Sequence, residues 1–261
     1  VLILLPPSET KRDGGDGDPL DLAALEFTAL TSPRRSVIRA VRALARNREA
    51  AVSALKLGPK QHAEVDRNRA VTTSATMPAI DRYTGVLFDA LDAGSLTPAE
   101  RAFAHRHVAI HSAMLGPVAA LDFIPAYRLS FDSRLPDLPL KKHWAPPVAA
   151  ALDAYEGLVL DLRSQGYVGL GPAPRRDDTL SVHVVTRDED GRTRALNHFN
   201  KQAKGQFVRA IIQSGVEHAN ARELREWAIG SGFDVGVEAG ALELTVPHVV
   251  GAPGKLMVAL R

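Results

Sequence analysis

The strongest constraint on this chain is its first five residues, Val1-Leu2-Ile3-Leu4-Leu5, an unbroken apolar run stopped by Pro6-Pro7. A strand with one wet face alternates apolar and polar side chains, whereas an unbroken run makes a strand that must be covered on both faces. A second run of the same kind, Leu158-Val159-Leu160-Asp161-Leu162, comes far along the sequence. Two such strands require a large core, and 261 residues at 45% hydrophobic content can supply one.

The expected elements follow from periodicity and punctuation. Asp21 to Leu30 reads as a short helix. Ser32 as N-cap and Pro33 at the first helical position open a helix carrying Val37, Ile38, Val41 and Leu44. Ala51 to Arg69 reads as two short helices around Leu57-Gly58-Pro59-Lys60. Thr97-Pro98-Ala99-Glu100 is a capping box that starts a helix to about Ala113. Pro125 to Pro139 is loop-like, and Trp144 to Tyr155 is helical. Leu180 to Thr186 alternates, with a turn at Asp188 to Gly191 and a partner strand at Ala195 to Phe199. A helix over Ala221 to Ile229, a hairpin of Asp234–Val237 and Ala241–Val246, and a last strand at Lys255–Leu260 complete the pattern. Strands gather at both ends and helices fill the middle, without regular βαβ alternation. The expected fold is therefore α+β: a single domain over residues 1–261, with a mixed β-sheet surrounded by helices. The glycine-rich stretch Lys11 to Pro19 is expected to be a mobile loop.

Composition removes several classes of function. The 32 Lys+Arg and 30 Asp+Glu leave a net charge of +2, so any basic site has to be local. There is no cysteine, which rules out disulfides and thiolate metal sites and fits a cytoplasmic protein. No apolar run approaches a membrane span, and Val1 to Leu5 is too short for a signal-peptide core. His107 and His111 stand four apart on an expected helix, near His105, but no glutamate lies between them and no third ligand is evident, so no metal site is assigned. Neither a P-loop nor a Gly-x-Ser-x-Gly elbow is present, and no cofactor is assigned. The oligomeric state is left open.

Candidate chemistry is concentrated in a few segments. Lys201 and Lys204 are three apart at the expected start of a helix, with Arg209 beyond. Lysines there oppose the helix dipole and favour a bound anion, so this turn is a candidate site for a phosphate, a carboxylate or a nucleic-acid backbone. Ser8, Thr10 and Lys11 follow the first strand, where ligand sites are common in α/β sheets. Asp161 ends the second buried run and can orient a lysine or act as a base, followed by Ser164 and Tyr167. Tyr127-Arg128 lies in an extended stretch suited to clamping an anion. Arg39, Arg42 and Arg46 stud the helix after Pro33. With Gly58 and Lys60 they suggest a degenerate helix-hairpin-helix element over about residues 33–69, able to contact DNA phosphates.

In this order, Leu2-Ile3-Leu4-Leu5-Pro6-Pro7-Ser8-Glu9-Thr10-Lys11, Tyr83-Thr84-Gly85, Tyr127-Arg128-Leu129, Asp161-Leu162-Arg163-Ser164 and Lys201-Gln202-Ala203-Lys204-Gly205 resemble the YaaA family of peroxide-stress proteins. The resemblance implies a cytoplasmic bacterial protein with a helix-hairpin-helix element, linked to DNA binding and to limiting oxidative damage. It also groups Ser8, Lys11, Tyr83, Arg128, Asp161, Ser164, Lys201, Lys204 and Arg209 as a pocket. One departure stands out: Gly116-Pro117-Val118-Ala119-Ala120 carries Ala119 where the family usually has an arginine. Three functions are thus open: a stress-response protein binding DNA or another phosphate-bearing ligand, an enzyme acting on a small anionic or nucleobase-like metabolite with Lys204, Lys201 and Asp161 as its reactive groups, or a protein whose polar set is only structural.

Overall fold

The computed structural model describes residues 1–187, 193–195 and 197–246. Strand β1 (Leu2–Leu5) is buried at every position, as its unbroken apolar run demands. A 3₁₀ turn at Thr28–Leu30 leads into α1 (Thr31–Leu44), α2 (Arg48–Ala54) and α3 (Glu64–Arg69). Next come β2 (Met77–Pro78), α4 (Ala79–Arg82), α5 (Val86–Leu91), α6 (Pro98–His107), β3 (Val108–Ser112), β4 (Gly116–Ala119), β5 (Phe123–Ile124) and α7 (Leu140–Asp153). The remaining elements are β6 (Val159–Asp161), α8 (Gln165–Val168), β7 (Thr179–Arg187), β8 (Thr193–Ala195), α9 (Asn197–Ser214), α10 (Ala221–Gly230), β9 (Asp234–Glu238) and β10 (Ala241–Val246).

The main sheet runs β4-β3-β1-β6-β7-β10-β9, with β8 on the far end of β7. Neighbours from β3 through β1, β6 and β7 to β10 are parallel, while β4, β8 and β9 add antiparallel partners. The fold is thus α+β around a mixed sheet. The two apolar strands, β1 and β6, are hydrogen-bonded neighbours at its centre. Parallel strands need cover on both faces, and the helices between them supply it. No helix among the described residues is long and apolar enough to cross a membrane.

Several expectations are corrected. The capping box forms as read, with Thr97 Oγ1 accepting from the Glu100 amide at 3.3 Å and Glu100 Oε2 accepting from the Thr97 amide at 2.6 Å. The helix stops at His107, however, because Val108, Ala109 and Ile110 pair with β1 and continue as β3. His107 and His111 therefore lie on different elements, and the shared-face spacing is lost. His107 Nδ1 bonds Val1 O at 2.9 Å, and no group of three metal-ligating side chains exists among the described residues.

Asp21 to Leu30 is not a helix: Asp21 Oδ1 accepts from the Ala23 amide, a local turn bond that competes with helical pairing, and Phe27 is left-handed with φ 56°. Helix α1 begins at Thr31 without a side-chain cap, so Ser32 is inside its first turn. The glycine-rich loop is anchored rather than loose. Fully buried Arg82 donates to Arg12 O at 2.6 Å and Gly14 O at 2.9 Å, and short bridges join Lys11 to Tyr83 and Gly17 to Thr76. Gly58 does lie between two short helices, but its amide donates to Gln61 Oε1 at 3.0 Å, so the helix-hairpin-helix expectation gains no support there. The turn expected at Asp188–Gly191 and the strand expected at Lys255–Leu260 fall outside the described residues; the partner of β7 spans Thr193–Ala195, and α9 has begun by Asn197.

Candidate functional site

Because β1 and β6 are parallel neighbours, the loops leaving them emerge at one edge of the sheet. Such edges collect ligand sites in open sheets with parallel strands. Here the two exits, the start of α5, the Ser130–Phe131 loop and α9 enclose a cleft of about 500 Å³, within the range of small-molecule sites. Ser8, Glu9, Thr10, Thr84, Ser130, Ser164 and Lys201 give it polar groups, the Glu9 carboxylate being paired with Arg128, and Pro6, Pro7, Val86, Phe88, Phe131 and Tyr167 give it apolar surface.

The hydroxyls form a connected cluster. Ser8 and Thr10 share a hydrogen bond of 3.2 Å, and Thr84 Oγ1 donates to Thr10 Oγ1 at 3.0 Å. Gly85 faces them with φ +101°, and a Cβ there would come 3.4 Å from Ser8 Oγ and 3.6 Å from Thr10 Oγ1. Glycine thus permits the left-handed turn and leaves the hydroxyls uncovered.

Two buried lysines shape the strand exits from below. Lys11 Nζ donates to Ser8 O at 3.0 Å and Glu9 O at 3.3 Å, and lies 4.2 Å from the Tyr127 ring centre and 5.3 Å from that of Tyr83. Burial, helped by the nearby Arg128 guanidinium, pulls its ammonium down to about 7. The Tyr83 and Tyr127 phenols share a 2.7 Å hydrogen bond, and burial raises both above the ordinary phenol value. Lys204 Nζ donates to Leu162 O at 3.0 Å on the β6 exit; burial lowers it to about 8, against the opposing pull of Asp161. Each lysine grips carbonyls of one exit loop.

The other charged groups are spoken for. Asp161 accepts from Arg163 Nε at 2.8 Å and Nη2 at 2.6 Å, and Arg163 Nη1 reaches His111 Nδ1 at 2.6 Å and Gly171 O at 2.9 Å. Burial and Arg163 hold His111 well below the usual imidazole value, so it is neutral and accepts that bond. Arg128 donates to Glu9 Oε2 at 2.7 Å, while Asn68 clamps its backbone from both sides at 2.8 and 2.7 Å. Arg209 lies away from the cleft: it donates to Leu91 O and Asp92 O at 2.8 and 2.9 Å and so caps the C-terminal end of α5. The lysine pair also separates. Since α9 starts at Asn197, neither lysine is in the first turn; Lys201 is exposed at the cleft and Lys204 is buried below it.

Of the residues singled out from sequence, Ser8, Thr10, Ser164, Tyr167 and Lys201 therefore line the cleft. Lys11, Tyr83, Tyr127, Arg128, Asp161 and Lys204 are buried and hold its loops. Ala119 is buried on β4 and does not line it. Sequence reasoning missed Phe131 and Ser130; an aromatic set among Ser130, Asp132 and Ser133 is the signal that was there to use.

A second basic feature runs along α1. Arg35, Arg39, Arg42 and Arg46 line a groove of about 580 Å³ with Leu20, Leu22 and Ile38. The described ion pairs of this region engage Arg48, Arg67 and Arg69, leaving that row without acidic partners among the described residues. Lys60 is exposed in the 3₁₀ turn Pro59–Gln61.

Fold and cleft define an α+β protein with a cleft of small-molecule size at the exits of two central parallel strands. The chain belongs to the family described as peroxide stress protein YaaA, whose model matches residues 1–235. It is 42% identical over 240 residues to a UPF0246 protein of Corynebacterium glutamicum, covering 90% of this chain and 94% of that one. A UPF0246 protein of Streptomyces coelicolor is 38% identical over 250 residues, covering 92% and 94%.

Proposed function

We propose that this protein acts in the cytoplasm, in the peroxide stress response that its family is named for, by binding a small phosphate- or carboxylate-bearing ligand in the cleft. The observation that carries this reading is convergence. The hydroxyls of Ser8, Thr10, Thr84 and Ser164 and the ammonium of Lys201 come from four distant segments and face one cavity of small-molecule size. Hydroxyls donate to phosphate or carboxylate oxygens, and a lysine adds a point charge. Of the three residues expected to carry chemistry, Lys201 alone lines the cleft, and it is assigned to the ligand's anionic group.

Isothermal titration with inorganic phosphate and ribose 5-phosphate tests this reading. Lys201→Gln is expected to weaken binding roughly tenfold, the scale of one charge-assisted contact. Equal affinity in the two proteins, or no binding by the wild type, refutes it.

A second reading rests on a separate observation, the arginine row of α1. Three arginines on one face of α1 and a fourth just past its end, without acidic partners among the described residues, suit the phosphates of a nucleic-acid backbone.

A further inference from the structure

Phe131 is 42% exposed and lines the cleft, although an aromatic ring of that size gains more by burial. It is not a loose surface residue. Its ring lies edge-on to Tyr167, with centroids 5.4 Å apart and planes at 67°. It also rests on Gly166 so closely that a Cβ there would fall 2.5 Å from the ring. The loop that bears it is tied on both sides. Ser130 Oγ donates to Asp132 Oδ1 at 2.6 Å, the Ser130 amide donates to Ser133 Oγ at 3.0 Å, and Lys56 pairs with Asp132 at 2.5 Å. One face of the ring is thus fixed from below, and the side chain stays open to the cavity. On another wall of the cleft, Val86 and Phe88 offer apolar surface, and the hydroxyl cluster and Lys201 supply the polar contacts.

A small phosphate or carboxylate would need only the hydroxyls and Lys201. It would leave about 500 Å³ mostly empty and the Phe131 ring unused. A held aromatic face beside an anion-binding cluster matches a two-part ligand. We infer that the ligand is a planar aromatic or heteroaromatic ring bearing a phosphate or carboxylate, the ring stacked on Phe131 and the anion held by Lys201 with the Ser8–Thr10–Thr84 hydroxyls. The ring half of this inference rests on Phe131 and Gly166; the anionic half rests on the reading proposed above. Stacking on an aromatic platform tolerates many rings because each has a π-face, so the platform sets ligand class more than identity.

The test is isothermal titration of the full chain with AMP, GMP, adenosine, ribose 5-phosphate and inorganic phosphate. Wild type, Phe131→Ala, Phe131→Tyr and Lys201→Gln are compared, each checked for an unchanged melting temperature. AMP or GMP is expected to bind at least tenfold tighter than ribose 5-phosphate. Phe131→Ala should erase that margin without changing ribose 5-phosphate affinity, and Phe131→Tyr should keep it. Equal affinities for AMP, GMP and ribose 5-phosphate overturn the ring assignment while the anion site stands. Adenosine binding as tightly as AMP, with Lys201→Gln silent, keeps the platform and overturns the anion site. No binding by any probe overturns both.

Discussion

Lys11 shows how one side chain ties down the β1 exit loop and at what cost. Its ammonium is buried beneath the β1 exit, where two carbonyls and two aromatic faces stand in for water. Those contacts favour the charged form, but burial outweighs them and brings the group to about 7, well under the ordinary lysine value. The sign of the pH effect follows. Between about pH 7 and 10.5 the unfolded chain keeps the proton and the folded chain gives it up. The unfolded state then binds more protons, so stability rises with pH across that window. Below about 7 both states are charged and the full cost of burial is present. Wild type should therefore gain on Lys11→Met by an order of a few kcal/mol between pH 7 and pH 10, read from urea unfolding at stepped pH. A difference between the two proteins that stays flat with pH would show that Lys11 remains charged in the fold, and the carbonyls would then be the dominant influence.

Helices α5 and α9 set the cleft's width, because Val86, Leu87 and Phe88 lie on one and Lys201 on the other. Gly205 lets them meet: a Cβ there would come 2.2 Å from Leu87 O and 2.9 Å from Ala90 Cβ. Since the obstacle is backbone, the helices must move apart. Gly205→Ala should cost roughly 1–3 kcal/mol, the range for overpacking, and weaken ligand binding by displacing Lys201. Gly230→Ala at the end of α10 meets nothing within 4 Å and should be near neutral. Thermal melts and titrations of both variants check this; a neutral Gly205→Ala would show that the α5–α9 contact yields easily.

This contact was written in Lys204-Gly205 but could not be read there, since glycine does not name the backbone it faces. The same limit explains which elements were legible. β1 and β6 announced themselves because both faces are covered and polar residues are nearly absent. β3 was hidden because His107-Val108-Ala109-Ile110-His111 continues a capped helix without a breaker, and only pairing with β1 makes it a strand. β4 was hidden by Gly116-Pro117, which reads as a turn; as the outer strand it tolerates a residue with no amide proton. In the site, strand-exit position exposed Ser8, Thr10 and Ser164. Whether a lysine would face the cleft or grip a carbonyl depended on depth, which separates Lys201 from Lys204 and has no signature in their spacing.

At the scale of the whole molecule, charge decides how the two candidate surfaces can be told apart. With a net charge of +2, the protein has too little general field to hold DNA, so any affinity for the polymer must come from a local row. Arg35, Arg39 and Arg42 lie on α1 and span about 10 Å along its axis, and Arg46 follows just past its C-terminal end, so the row is long enough to meet successive phosphates. The groove they line shares no residue with the cleft. Fluorescence anisotropy of duplex DNA across a salt series should therefore give a linear fall of log affinity against log salt. Arg39→Ala/Arg42→Ala should flatten that slope by roughly 2, since each lost phosphate contact removes about 0.9. Lys201→Gln should leave the slope unchanged while it weakens phosphate binding in the cleft, and the arginine pair should do the reverse. A slope flattened by Lys201→Gln and untouched by the arginine changes would put the nucleic-acid backbone across the cleft mouth. The two surfaces would then compete for one anion instead of serving two.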